Sequence, residues 1–551
     1  MAAGLLLSGW RHRAPVRTMA TFPYFVFSPN SVLSIVGLLR GPDTTTPTPA
    51  EDWRQAKVDV IIPALNEQDN IALCLASVMR QTQRPRRILL VDDGSSDRTV
   101  AVARAFCAFH DVELTAIQRR SPIGKTPTIK RQARELDSDV EFVLDADTVL
   151  ESDNYIERTV QELYQAVGIA CACGTILPLR KGDRAVVEAT DLVQAFRHGS
   201  DWPGPPPARG WLAGFATGVT HLYREVLYLF LQRFIYRGQM EFFGTIANPV
   251  GCAVAYRRKY VQALFELVGP TLGDDLTNSE DIFIGLAMLN EGYRNVQLRD
   301  VYARTVEPHP RRLPRQIYLW SSSFLQCCYY FDGLLRSPFK IHKRWRLRRE
   351  AAGTHAAVSP RPVMSAAHAY SGASGRLAGA APALASPPAI GPTAIERRAT
   401  ALEDDRPGPA GRRLSDDAAG PETASRSRWG RDRRRIQEPY RQAFGRAHTL
   451  EYGRPAGWLL MSGAVEKVFF PTILLIMVLT GNWYGVALTV AFETAASVFA
   501  LVLVTKGHRF EYLLKGLAVA PIRYVLLGSD LVTIGRFASD LWLTKNRKWR
   551  K

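Results

Sequence analysis

VDVIIPALNEQDNIALCLASVM (58–79), followed by RILLVDDGSSDRT (87–99) and EFVLDADTVL (141–150), decides the fold of this chain. Residues 58–62 form a near-continuous apolar run, the pattern of a strand buried on both faces. Ile71, Cys74, Leu75, Val78 and Met79 then fall at i, i+3, i+4, i+7 and i+8, which is one face of a helix. Strands are predicted again at 87–92, 111–117 and 141–145, with one helix from Asp97 and another ending before Leu136. A β-α-β-α-β-α-β succession of these lengths predicts an α/β domain on a parallel, doubly wound sheet. Such sheets bind ligands outside the carboxyl ends of their strands.

Three of those strand ends carry acidic or amide residues. Asn66 and Glu67 follow the first strand, Asp92 and Asp93 the second, and Asp145-Ala146-Asp147 the fourth. Carboxylates repel phosphate. They can hold the hydroxyls of a nucleoside, or a divalent cation that in turn holds a diphosphate. The expected ligand is therefore a nucleotide bound with a metal. Glycine-rich phosphate loops are missing: no GxGxxG follows a strand, and Arg119 stands where a Walker glycine would precede Gly124-Lys125-Thr126. A DxD triplet alone is weak, since roughly one arises by chance in a chain of this size. Asp137-Ser138-Asp139 is such a decoy, because it precedes a strand rather than ending one.

Working outward, 551 residues exceed one ordinary domain, so at least two units are expected. The net charge is +18, but 336–450 holds 22 Lys/Arg against 10 Asp/Glu, a net of +12, and 545–551 adds five more basic residues. That confinement suits basic segments beside an anionic bilayer and argues against a nucleic-acid groove. Seven sparse cysteines do not make a disulfide framework, and Cys171-Ala172-Cys173 and Cys327-Cys328 read as buried thiols rather than zinc ligands. Between Trp345 and Trp429 the single aromatic is Tyr370, in a run of Ala, Gly, Pro, Ser and Arg that cannot offset its ordering entropy.

The expected organisation is an N-terminal segment at 1–57, a catalytic domain at 58–335, a basic disordered linker at 336–450, and membrane helices with a basic tail at 451–551. Residues 22–39 read as interfacial or as one weak span, and 228–236 as a packing helix. Residues 468–481 and 483–504 read as a helical hairpin, the first short unless 457–467 extend it past Glu466 and Lys467. Residues 512–543 carry five charges and read as interfacial or bundle-packed.

The motifs quoted above, with NPVGCAVAYRRKYV (248–261), TNSEDIFIGLAMLNEGYR (277–294) and RQIYLW (315–320), resemble family 2 inverting glycosyltransferases with membrane helices, of the hyaluronan, chitin and cellulose synthase type. The resemblance covers roughly 58–325 and implies a glycosyltransferase type A fold, a nucleotide-diphosphate sugar donor (UDP-linked in much of the family), and Mg2+ or Mn2+. It implies that Asp92 and Asp93 hold the nucleoside with Asn66 and Glu67 beneath the base. Asp145 and Asp147 would hold the metal and diphosphate, and Lys125 would lie near the basic diphosphate contact. Within Ser279-Glu280-Asp281, Asp281 would be the general base on the acceptor hydroxyl, a role that a sugar hydroxyl attacking an anomeric carbon requires. Asp275 of Asp274-Asp275 is a rival for that role. Asp281 is preferred because it opens the helical run that leads to Gly292-Tyr293.

The departure lies in the last motif. Gln316 and Trp320 are present, but Leu319 stands where the family has Arg, and Arg315 or Arg312 are candidates to compensate. The expectation is a membrane enzyme that passes a sugar to a polysaccharide, multi-pass in the cell (inner) membrane with its catalytic domain cytoplasmic. Single addition to a membrane lipid, or a catalytically impaired scaffold, are the alternatives. A nucleotide-sugar donor and the bilayer are the expected partners, and no nucleic acid.

Overall fold

The computed structural model describes residues 29–40, 52–165, 168–200, 202, 210–272, 279–356, 445–505 and 507–544. Residues 339–356, containing the basic helix Ile341–Ala356, belong to a separate compact unit, and all other described residues form one body. The rest of the stretch read as linker up to residue 444 and the basic tail at 545–551 lie outside the described residues, as do Asp274 and Asp275.

The alternating pattern produces the elements read from it. Strand β1 (Val58–Ala64) is followed by the helix Ile71–Met79, β2 (Arg87–Asp92), the helix Thr99–Phe109, β3 (Leu114–Gln118), the helix Lys125–Glu135 and β4 (Val140–Leu144). β1 pairs in parallel with β2, Ile61 opposite Leu89, and with β4, Val60 opposite Phe142; β2 pairs in parallel with β3. Side chains alternate across the sheet. Val60, Ile62, Phe142 and Leu144 enter one core with Leu75, Phe106 and Ile156, while Val143 enters the other with Ile129, Phe283 and Leu289.

Beyond β4 the sheet becomes mixed, in a part of the chain where the sequence pattern assigns no strands. Four further strands, β5 (Thr148–Leu150), β6 (Ile169–Pro178), β7 (Ala253–Arg257) and β8 (Arg294–Thr305), complete the order β3-β2-β1-β4-β7-β6-β8-β5. β7 runs antiparallel to both β4 and β6, and β5 antiparallel to β8. The direction of pairing therefore changes at β4, whose carboxyl end delivers Asp145. Strand order itself reverses between β1 and β4, since the chain steps outward from β1 to β2 and β3 and then returns to the other side of β1; such a switch point leaves a crevice at the carboxyl ends of the strands, the usual ligand position.

Of the apolar stretch at 22–39, residues 22–28 lie outside the described residues; the described part is in helix α1 (Pro29–Arg40). It is seated on the protein: Asn30 donates to Glu466 at 3.0 Å and accepts from Ser462 at 2.8 Å, and Gly238 has no room for a Cβ because Ser34 is packed against it. The stretch at 228–236 packs as expected, as a π-helical turn at Phe230–Tyr236 between α2 (Gly210–Leu229) and α3 (Arg237–Phe243). Its buried Gln232 bonds both the N–H and the C=O of Ile176 on β6, at 2.8 and 2.7 Å.

Four more helices bear on the site: α4 (Glu280–Glu291), α5 (Leu313–Tyr330), α6 (Gly445–Tyr452) and α7 (Gly457–Leu479). Helix α7 does extend through Glu466 and Lys467. It, α8 (Trp483–Val504) and α9 (Arg509–Trp542) are each long and apolar enough to cross a membrane. Helix α9 is one unbroken element of 34 residues that packs against α2, α5, α7 and α8. An unbroken helix cannot cross twice, which leaves one crossing or none. Three of its five charges in 512–543 are paired: Lys515 with Glu225 at 3.0 Å, Arg523 with Glu493, and Asp530 with Lys467 at 3.3 Å. Pairing of this kind is what apolar surroundings demand of ionised groups.

Candidate active site

The first two strand-end loops are tied to each other. Asn66 has φ 58°, a left-handed conformation that Asn tolerates better than most residues. Its N–H donates to Ser95 Oγ at 2.8 Å, and its Oδ1 accepts from the Ser96 N–H at 2.9 Å. The Glu67 N–H donates to Thr99 Oγ1 at 2.8 Å, and its carboxylate accepts from Asn70 at 2.7 Å. Burial raises Glu67 above the usual carboxylate range, with Asp145 and Asp97 adding to the rise against the Asn70 bond.

Asp92 is buried and accepts the Ser95 N–H at 3.2 Å. Asp93 is committed further: it accepts from Arg119 at 2.9 Å and from the N–H groups of Ile123 and Gly124 at 2.9 and 2.8 Å. Asp93 thus pins the loop that delivers Lys125 at the start of the next helix. Of the two aspartates, Asp92 has the lighter engagement.

Lys125 is the hub. Its Nζ lies 2.6 Å from Asp145 Oδ1 and 2.8 Å from Glu280 Oε1, and donates to the Gly251 carbonyl at 2.9 Å. Burial alone would lower its pKa, but the two carboxylates outweigh that and hold the ammonium well above the lysine range. Residues from the third helix, from β4 and from α4 therefore meet around one cation. Asp145 is fixed by its N–H bond to the Cys252 carbonyl at 2.9 Å, at the entry to β7.

Asp147 sits two residues further on, its carboxylate touched by the hydroxyls of Thr148 at 3.2 Å and Thr305 at 3.4 Å. Its own carbonyl accepts the Val306 N–H at 3.1 Å, so β8 holds it from behind. Burial, then the charges of Asp145 and Glu67, push it up to about 8. Lys125, which is paired with Asp145 and Glu280, opposes that rise only weakly.

Asp281 stands in the first turn of α4, its Oδ1 accepting the Ile282 N–H at 2.8 Å. Burial and the adjacent Glu280 raise it to about 7, against the opposing pull of Lys125. A Cβ on Gly251 would come within 2.7 Å of Asp281 Cβ, so that glycine lets the loop pass beneath the carboxylate. Glu280 is turned to Lys125, a positioning contact, while Asp281 is free of that pair.

On the acceptor side, Gln316 and Trp320 lie one turn apart on α5. Gln316 accepts a hydrogen bond from Arg224 of α2, and the Arg224 guanidinium lies 4.5 Å from the Trp320 ring centroid. Arg224 is wholly buried, with Nε 3.2 Å from Glu307 Oε2. Burial raises Glu307 to about 7, against Arg224 and the Tyr228 hydroxyl. Leu319 turns instead into a groove with Pro314, Arg315, Tyr318, Leu526 and Arg536, between α5 and α9. Arg312 and Arg315 are exposed, and neither takes the place beside Gln316 and Trp320 that Arg224 holds. Sequence reasoning missed Arg224, Glu307, Thr305 and Gly251. Only Gly251, in NPVG before an apolar strand, carried a local signal.

Residues 59–265 match the family model for Glycosyl transferase family 2. An N-acetylglucosaminyltransferase of Sinorhizobium fredii is 24% identical over 256 residues, which cover 46% of this chain and 53% of that protein. An undecaprenyl-phosphate 4-deoxy-4-formamido-L-arabinose transferase of Proteus mirabilis is 28% identical over 117 residues, 20% of this chain and 36% of that one. The chain thus spans about half the length of the first of these relatives and about a third of the second. Among solved structures, a mannosyltransferase from Pyrobaculum calidifontis in complex with GDP-Man and Mn2+ is similar over 65% of this chain and 91% of its own, at 16% identity and a TM-score of 0.38.

Proposed function

From the premise that residues 59–265 are a glycosyl transferase family 2 domain, we propose that this protein is a membrane-bound inverting glycosyltransferase of the polysaccharide-synthase type. It moves a hexose or N-acetylhexosamine from a UDP-linked donor to a growing polysaccharide. The observation that carries this reading is the convergence of Asp145 and Glu280 on Lys125, each within 2.8 Å, with Asp147 and Asp281 carried by the same two segments. The same small region then holds groups for a cation, for a diphosphate and for an acceptor proton.

Asp145 and Asp147 would hold Mg2+ or Mn2+. Among the described residues no three metal-ligating side chains cluster. That fits this use, because such ions commonly take one or two carboxylates and complete their shell with substrate phosphates and water. The raised Asp147 is the carboxylate a bound cation would relieve. The cation supplies charge stabilisation for the departing diphosphate. Lys125 faces the same phosphates, and Asp92, with the Asn66-Glu67 loop, faces the nucleoside. Asp281, near neutrality, takes the proton of the acceptor hydroxyl as it attacks the anomeric carbon. In this reading the catalytic domain and its donor are cytoplasmic, in a cell whose inner membrane holds α7 and α8.

A second reading, one sugar added to a membrane lipid, is favoured by the groove between α5 and α9, which is lined by Leu319 and walled by a candidate membrane helix. A donor screen that follows nucleoside-diphosphate release by the full chain, with and without Mn2+, tests the reading. Sizing of the product separates polymer from a single addition, and an enzyme inert toward every nucleotide sugar would leave the scaffold alternative.

A further inference from the structure

The guanidinium that position 319 lacks is present in the fold, delivered by another element. Arg224 reaches from α2 to Gln316 and Trp320, the two members of the motif that this chain keeps. Its side chain has no exposed surface, and its Nη1 makes no hydrogen bond within the protein. A buried donor without a protein partner is costly and calls for one from water or ligand. Glu307 balances the charge of Arg224 through Oε2 but leaves Oε1 unbonded, so that pair is not closed on itself.

The location is specific. Glu307 lies two residues past Thr305, whose hydroxyl donates to Asp147, and the intervening Val306 N–H donates to the Asp147 carbonyl. The end of β8 and the residues after it therefore lead from the carboxylate assigned to the cation, at Thr305 and Val306, to Glu307, the partner of Arg224. Leu319 is turned away from this spot, toward α9.

We propose that Arg224 is the diphosphate-binding guanidinium of this enzyme, acting from α2 in place of an arginine at position 319. The proposal rests on the glycosyl-transfer reading above. In the transfer, the bond from the anomeric carbon to the β-phosphate oxygen breaks, and its electron pair stays on that oxygen. The acceptor oxygen forms the new bond, and its proton goes to Asp281. Nη1 of Arg224 donates to the diphosphate as that charge grows, an interaction stronger in the transition state than before it. Stacking on Trp320 and the bond to Gln316 fix the plane of the guanidinium, and the two-pronged geometry is one that lysine cannot reproduce.

The test uses the full chain in nanodiscs and two readouts. Binding of inorganic pyrophosphate is measured by calorimetry with and without Mn2+, and nucleoside-diphosphate release is measured at saturating donor. Arg224→Lys is compared with Arg224→Met/Glu307→Gln, which removes both buried charges so that no carboxylate is stranded. Thermal unfolding establishes that each is folded. The expected result is pyrophosphate binding weakened about tenfold or more in the double variant and less in Arg224→Lys, with kcat down on the order of 100-fold. A folded double variant that binds pyrophosphate and turns over like the wild type overturns the proposal, as does a wild type that does not bind pyrophosphate. Failure of the underlying reading is a separate result: a wild type that binds pyrophosphate yet cleaves no nucleotide sugar.

Discussion

Lys125 Nζ stands 2.6 Å from the Asp145 carboxylate, so the residue assigned to the diphosphate is ion-paired with one assigned to the cation. The two assignments compete in the free protein and cooperate when both ligands are bound.

That competition gives opposite signs for one substitution. Lys125→Met frees Asp145, and Mn2+ alone should bind more tightly, by about tenfold or ~1.4 kcal/mol. Nucleoside diphosphate in the presence of Mn2+ should bind about tenfold more weakly. Calorimetry of both ligands checks the pair, and parallel changes would contradict the shared site.

Asp281 must be ionised to accept a proton, and it titrates at about 7 under burial, Glu280, Lys125 and Asp145. Transfer should therefore rise about tenfold per pH unit below 7 and level off above it. Because the folded pKa is raised, the same group favours the folded state at low pH. That contribution is lost as pH climbs from the usual carboxylate range through 7. Asp281→Asn should lower kcat ~100- to 10,000-fold, remove both slopes, and leave nucleoside-diphosphate binding intact. A near-normal Asp281→Asn enzyme would pass the role to Asp275.

Gly251→Ala places a methyl group 2.7 Å from Asp281 Cβ and 3.0 Å from its carboxylate. The displaced base should cost about 100-fold in kcat, as small misplacements of catalytic groups do. The Gly251 carbonyl that holds Lys125 remains, so nucleoside-diphosphate binding should change little. Kinetics and calorimetry on the one variant decide it.

Arg454 is fully buried and donates to the carbonyls of Leu289 and Tyr293 at 2.6 and 2.7 Å, while Thr449 donates to Asn290 at 2.6 Å. These contacts tie α6 and the entry to α7 onto the far end of α4, the helix that carries Asp281. Arg454→Met should destabilise the protein by roughly 3 kcal/mol, two charge-assisted bonds being lost. Deleting 357–444, which spares every one of these contacts, should leave unfolding and transfer nearly unchanged; loss of both would assign that stretch a structural role.

The basic residues at 505–509 and 545–551 flank α9 at both ends, while the turn at 480–483 between α7 and α8 is uncharged. Positive residues stay on the cytoplasmic side. A reporter after Lys551 should read cytoplasmic and one at Asn482 external, with α9 making no net crossing. An external reading at Lys551 would make α9 a third span.

Strands read at 58–62, 87–92 and 141–145, the acidic residues at their ends and two of the apolar helices were legible in the amino-acid sequence. A buried parallel strand is an unbroken apolar run, and the residues that line the crevice at its carboxyl end are its immediate neighbours in the chain, so fold and ligand position are both local signals. The direction of pairing beyond β4 was not legible, because it depends on which strands lie beside each other after long excursions. It took the folded chain to show that Asp93 anchors a loop, that Lys125 meets both Asp145 and Glu280, and that Gly251 makes room for Asp281. The fold also brings Arg224 to Gln316, 92 residues away, beside a Leu319 that turns toward α9. The shape of a guanidinium site is set by where its atoms lie, and a helix from elsewhere in the fold can supply them without leaving a trace in the local motif.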